Sequence, residues 1–217
     1  MVVGSLESLI LKRIYANSIQ NIPSLSSTLS RQLELDTELL EGTLSDLIIK
    51  GSINIDQSGH YNITEFGRKQ IVVVMTGGVF DILHIGHIFT FQQAKLLGDV
   101  LVVVVATDGT VEKLKKRKPT NSQDERAALL KHIREVDAVV IGDEMDFINT
   151  IDLIKPDIVA LGYDQKFDER KLYEQFVMRG HQNVKIIRLK EYIPGKSTSR
   201  IVKDIIFKHA YRSNKTE

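Results

Sequence analysis

Two histidines three residues apart, His84 and His87, stand among glycines at positions 77, 78 and 86. Side chains at that spacing share one face if the segment is a first helical turn. As cations or N–H donors, both imidazoles then address the oxygens of one phosphoryl group. Glycine lets backbone approach a phosphate closely, and a helix N-terminus adds unpaired N–H groups and the positive end of its dipole. The densest basic segment, Lys113 to Lys118, offers point charges for the same anion. Arg126 and Arg134 each offer a planar fork of donors suited to phosphate oxygens, or a surface ion pair with Glu125, Glu135 or Asp137. Ser197, Thr198 and Ser199 precede the helical run from Ile201 to Phe207. They can cap that helix, leave its N–H groups open to a phosphate, or both.

The elements that must position these groups are legible as an alternation. The β-branched run from Val72 ends in the two glycines, and a helical pattern then carries Ile88, Phe89, Phe91, Ala94 and Leu96. This reads as buried strand, tight turn and helix, with the histidines at the junction. A continuous apolar run follows at Val100 to Ala106, and further short apolar runs at Ala138 to Ile141, Ile158 to Leu161 and Val184 to Leu189. Between them lie helical stretches at Asp124 to Ile133, Phe147 to Ile154 and Phe167 to Arg179. Strand and helix in turn predict an α/β fold with a mostly parallel, Rossmann-like sheet. Ligands of such sheets sit beyond the strands' carboxyl ends, where His84 and His87 are placed.

The first seventy residues read differently. Leu6 to Tyr15 carries the stripe of an amphipathic helix. Ser24 is placed to cap a short helix through Leu33, and Asp36 a third that stops at Gly51. Ile53 to Ile55 and Tyr61 to Ile63 alternate around a turn as a small hairpin. Three helices and a hairpin resemble a winged helix, so two units are expected, 1–70 and 71–217. DNA is not the expected partner of the first. It holds six Lys/Arg against eight Asp/Glu, and Asp36, Glu38, Glu41 and Asp46 lie on or beside the third helix, where a DNA reader carries basic or amide side chains. A dimerisation, docking or regulatory module is the expectation, and the apolar surplus of this part makes a homodimer plausible.

Composition narrows the class. At 217 residues with 42% hydrophobic and 26% charged side chains, the chain is an ordinary globular protein with a sizeable core. Zero cysteines exclude disulfides, thiolate metal sites and a cysteine nucleophile. A net charge of +1 argues against binding polyanions over the whole surface. No apolar run is long enough for a membrane span and the start lacks a signal-peptide pattern, so a cytoplasmic setting with no membrane partner is expected.

The run from Gly78 to His87 resembles the signature of the HxGH nucleotidyltransferases. The resemblance continues through Ala106-Thr107-Asp108, Lys113-Leu114-Lys115, Asp124-Glu125-Arg126, Ile133 to Asp137, Leu161 to Gln165 and Ser197 to Arg200, covering about residues 71 to 206. It implies transfer of a nucleoside monophosphate from a triphosphate to a phosphate ester, with pyrophosphate released and Mg²⁺ accompanying the nucleotide. It implies His84, His87 and either Lys113 or Lys115 as catalytic residues. For the nucleotide it implies Thr76, Gly77, Gly78, Val79, Phe80, Asp81, Arg134, Gly162, Asp164 and the Ser197, Thr198, Ser199 turn. Asp81 has three roles open: pairing with a histidine, binding the Mg²⁺ that accompanies the nucleotide, or fixing the turn. Tyr163 or Phe167 is placed to pack against a ring or to serve as core. No resident metal site is expected.

Two members of that family compete. Archaeal FAD synthases, which join ATP to FMN, are similar through Leu161 to Glu169 and Lys113 to Pro119. Glycerol-3-phosphate cytidylyltransferases, which use CTP and a small phosphate ester, are similar through Ile133 to Val139 and Ser197 to Ser199. Against the second, its Arg-Thr-Glu-Gly approach to the serine turn reads Tyr192-Ile193-Pro194-Gly195 here, and its tryptophan after the second acidic residue is Gln165. Against the first, its C-terminal cysteines are absent and a winged helix is present. The resemblance favours FMN adenylylation, with cytidylyl transfer as the alternative. A nucleotide-sensing winged-helix regulator is the alternative of another class.

Overall fold

Valine dominates the two central strands because both faces of the sheet are covered, so neither needs a polar alternation. The computed structural model describes residues 5–144 and 146–213, with side chains through residue 208. The outer ends of both expected units, 1–4 and 214–217, lie outside the described residues. Five parallel strands, β3 (Val73–Gly78), β4 (Val100–Val105), β5 (Ala138–Ile141), β6 (Ile158–Leu161) and β7 (Lys185–Arg188), stand in the order β5-β4-β3-β6-β7. The order reverses at β3, which puts the switch point at its carboxyl end.

Helices α5 (Ile85–Lys95) and α7 (Gln123–Leu130) cover one face, where Phe91, Ala94 and Leu130 meet Val74, Leu101 and Val103. Helices α8 (Phe147–Ile154) and α9 (Glu169–Met178) belong to the other face, with Ile151, Ile154 and Phe176 buried there. Helix α6 (Asp108–Lys115) leaves the carboxyl end of β4, and α10 (Thr198–Ser213) closes the described chain. The basic segment Lys113 to Lys118 therefore begins as the last turn of α6.

In the first seventy residues, α1 (Leu6–Ser18), α2 (Ser26–Leu33) and α3 (Thr37–Ile49) precede the antiparallel pair β1 (Ile53–Ile55) and β2 (Tyr61–Ile63), and a short α4 (Glu65–Arg68) follows. Asp36 caps α3 as expected, its Oδ1 accepting the Glu38 and Leu39 N–H groups at 2.9 and 3.3 Å. Ser24 does not cap α2, which starts at Ser26 behind Leu25. It is buried instead, with its hydroxyl accepting from Asn17 Nδ2 at 3.1 Å.

These helices do not stand apart from the sheet. Ile10, Ile14 and Tyr15 of α1 join one buried cluster with Val73, Met75, Val100 and Val102 of β3 and β4. The Tyr15 hydroxyl donates to the Ile154 carbonyl at 2.7 Å, and the Arg68 guanidinium, 5.2 Å from the Tyr15 ring centre, donates to the Lys155 carbonyl and the Asp157 carboxylate. Among the described residues no helix is long and apolar enough to cross a membrane.

Candidate nucleotide site at the switch point

His84 is the residue before α5, in extended backbone at φ −148°, and it caps its own helix: its Nδ1 accepts the Gly86 N–H at 3.1 Å. His87, on the first turn, returns the favour, its Nδ1 accepting the His84 N–H at 3.4 Å. The reciprocal pair satisfies two of the helix's orphan donors. It also stacks the rings, with centroids 3.9 Å apart and planes at 23°. Gly86 leaves room for this stacking, since a Cβ would press on the His84 ring at 3.0 Å and push it by a few tenths of an ångström.

Both Nδ1 atoms accept, so in the neutral rings both protons sit on Nε2. The environment keeps the rings neutral. Burial, reinforced by His84 and Lys115, pulls His87 down to about 4. Burial also lowers His84, with Lys196 acting in the same sense and Asp164 opposing. Phe80 contributes to that burial, its ring edge-on to His87 at a centroid distance of 5.4 Å. The site thus offers two adjacent, uncharged N–H donors at the positive end of a helix.

The strand leading to them is fastened rather than open. Thr76 is buried and its hydroxyl donates to the Ala160 carbonyl at 2.9 Å. The Gly77 carbonyl accepts from Gln165 Nε2 at 2.6 Å, and Gln165 Oε1 accepts the Gly162 N–H at 2.9 Å, so one side chain ties the ends of β3 and β6. The Gly78 carbonyl accepts the Ala106 N–H at 2.9 Å. Phe80 adopts a left-handed φ of 53° that turns the chain toward the histidines. Of the three roles open to Asp81, the structure fills the turn-fixing one. The residue is buried, and its carboxylate accepts the Thr120 and Asn121 N–H groups at 2.7 and 3.0 Å and Arg117 at 3.2 Å. Burial alone would raise its pKa, but the Asn121 and Thr120 N–H groups and Arg117 outweigh it and hold the group below the usual carboxylate range.

The lysine alternatives separate. Lys113, well exposed, pairs with Glu144 at 3.2 Å, whereas the charge of Lys115 acts on His87. The two arginines separate further. Arg126 is fully buried: its Nη1 donates to the Val79 carbonyl at 2.6 Å, Nε to the Asn121 carbonyl at 3.0 Å, and Nη2 to Asp108 Oδ1 at 2.6 Å. Arg134 is not brought to the site. It is exposed in the turn before β5, where the next residues meet the start of β4 through the Asp137 N–H and the Leu101 carbonyl. That is the amino edge of the sheet, about 20 Å from the histidines for strands of six residues.

The far wall is the start of α10. The Thr198 hydroxyl donates to the Ile82 carbonyl at 3.2 Å, and Ser197 Oγ accepts the Arg200 N–H at 3.3 Å, the cap anticipated for it. Ser199 follows on the exposed first turn. The Lys196 carbonyl lies 3.6 Å from where a Gly86 Cβ would stand, and its charge reaches His84. Sequence reading passed over Lys196 because one lysine before a serine turn is indistinguishable from a solvated one. Gly162 and Asp164 lie just beyond β6, and Asp164 is exposed with its field acting on His84. Arg188 holds that loop by donating to the carbonyls of Gly162, Gln165 and Phe167 at 3.1, 2.8 and 2.9 Å. The structure therefore brings the α10 turn against the loop before the histidines and sets Lys115, Lys196 and Asp164 within electrostatic reach of the two rings.

A family model described as cytidylyltransferase-like matches residues 75–204. A FAD synthase of Aciduliprofundum boonei is 47% identical over 138 residues, covering 64% of this chain and 90% of that protein. A FAD synthase of Pyrococcus abyssi is 48% identical over 143 residues, covering 64% and 95%. Among solved structures, one described as a lipopolysaccharide core biosynthesis protein from Thermoplasma volcanium is 44% identical, with a TM-score of 0.55, covering 57% of this chain and 99% of that one.

Proposed function

The chain belongs to the cytidylyltransferase-like family, and on that premise we propose that it is an FMN adenylyltransferase, forming FAD and pyrophosphate from ATP and FMN. The choice of ATP and FMN rests on relatives at 41–48% identity that carry the name FAD synthase. The chemistry rests on the stacked histidines: two neutral Nε2–H donors, fixed by their own helix cap, at the mouth of the switch point.

A phosphate oxygen of FMN attacks the α-phosphorus of ATP. The new P–O bond forms as the bond to the bridging oxygen of the β-phosphate breaks, and that oxygen leaves with pyrophosphate, carrying the electron pair. The attacking group is already an anion, so no protein nucleophile or base is needed, and placement and charge stabilisation supply the catalysis. His84 and His87 donate to the oxygens on which charge builds. Lys115 on one side and Lys196 with the α10 turn on the other hold the charge of the triphosphate and of the leaving pyrophosphate.

A divalent cation, Mg²⁺, enters as part of the nucleotide substrate. Among the described residues no three His, Asp or Glu side chains group to cage a metal, and Asp81, the one buried carboxylate beside the histidines, is occupied by backbone N–H groups and Arg117. The reaction is assigned to the cytoplasm, where both substrates circulate. For residues 1–70 we propose a winged-helix-like docking or regulatory unit rather than a DNA reader, since α3 carries Glu38, Glu41 and Asp46.

The test is a matrix of ATP or CTP against FMN, glycerol phosphate and phosphoethanolamine, read as pyrophosphate release. ATP with FMN is expected to give the highest kcat/KM. Turnover confined to CTP with a small phosphate ester would replace this reading with cytidylyl transfer.

A further inference from the structure

Tyr163 and Tyr192 lie on separate loops beyond the carboxyl ends of the adjacent strands β6 and β7. Their rings stack with centroids 4.3 Å apart and planes at 16°, yet they are 42% and 50% exposed. Aromatic pairs that serve a core bury their faces. This pair instead presents a broad apolar face at the rim where ligands of such sheets bind.

Both loops are held in place. Arg188 and Gln165 fasten the Tyr163 loop by the bonds already described. On the other side Gln93 of α5 donates to the Glu191 carbonyl at 3.0 Å, tying the Tyr192 loop to the helix that begins at the histidines. Asp164, next to Tyr163, acts electrostatically on His84, so the shelf and the reacting phosphate are neighbours. A preordered, half-exposed aromatic pair is the arrangement that receives a planar heteroaromatic ring, since every such ring has a π-face and the ordering cost is already met.

We propose that the Tyr163–Tyr192 pair is the shelf on which a planar heteroaromatic ring of a substrate stacks as a third layer, fixing its phosphate over the histidines. The inference rests on the proposed reaction, whose two substrates both carry such a ring, adenine in ATP and isoalloxazine in FMN. A bound ring leaves Tyr163 and Tyr192 paired and adds no covalent step.

The experiment is calorimetric binding of α,β-methylene ATP with Mg²⁺, and separately of FMN, to the full-length wild type and to Tyr192→Leu, Tyr163→Leu, Tyr192→Phe and Tyr163→Phe. The leucine variants are expected to raise the Kd of one of the two ligands by about tenfold or more, the phenylalanine variants by less than about threefold. The ligand affected identifies the ring on the shelf. Unchanged affinity for both ligands in the leucine variants overturns the proposal, and so does a loss in the phenylalanine variants as large as in leucine, which would assign the effect to the phenol hydroxyls. Thermal melting of each variant separates lost binding from lost fold. Binding is read without turnover, so a wild type that binds one ligand through the shelf yet forms no FAD would sink the reaction alone.

Discussion

A histidine whose Nδ1 accepts a backbone N–H carries its proton on Nε2, so a second proton would have to displace that hydrogen bond at Nδ1 and leave a cation in a place where burial disfavours it. His87 shows the consequence for stability. Its folded pKa of about 4 lies below the ordinary 6.5, so between those values the unfolded chain binds the extra proton. The stabilising contribution is complete above about pH 6.5 and is lost as pH falls towards 4. From pH 7 to pH 5 this should cost roughly 2 kcal/mol, and His87→Asn should remove most of that dependence. Urea unfolding at the two pH values checks it; parallel losses in wild type and variant would contradict the assignment. The lysines make a second contrast at this scale. Lys115→Ala should raise the KM for ATP or lower kcat by about tenfold or more, whereas Lys113→Ala, which removes only an exposed pair with Glu144, should stay within about twofold. Steady-state kinetics on both variants decide it.

The strand, turn and helix around the histidines could be read from residue types alone, because β-branched runs, glycines and a helical repeat are local signals. Arg126 could not. A charged residue on a short helix reads as surface, and only the approach of Val79, Asn121 and Asp108 from three other segments turns its position into a buried clamp. Arg134 differs in the opposite direction: the resemblance implied a nucleotide contact, whereas its place just before the run Ala138 to Ile141 already assigns it to the amino rim of a parallel sheet, which is where the structure has it. The clamp carries its own prediction. Arg126→Leu leaves two part-buried carbonyls and the half-exposed Asp108 carboxylate without their donor and should destabilise the fold by about 1–3 kcal/mol, read as a shift in the urea midpoint. A loss below about 1 kcal/mol would mean that the loops between β3 and α7 hold themselves.

Across the molecule, part of the apolar surplus of the first seventy residues has an internal destination, while Leu39, Ile49, Ile55 and Phe66 stay exposed. Ile10 and Ile14 complete the core beneath β3 and β4, so a second copy of the chain is not needed to cover them. The sequence could show that surplus but not where it went, since a helix stripe fits a sheet and a partner equally well. Ile14→Ala should cost about 2–5 kcal/mol and leave one cooperative unfolding transition. The family model matches residues 75–204, the part of the chain that holds most of the switch-point sheet, the capped histidines and the start of α10. The most direct test of the account is the turnover of ATP with FMN by His84→Ala and His87→Ala, followed as pyrophosphate release with melting temperatures measured alongside. Each variant should lose at least about a hundredfold in kcat while staying folded; turnover near the wild-type rate in either would take that imidazole out of the reaction.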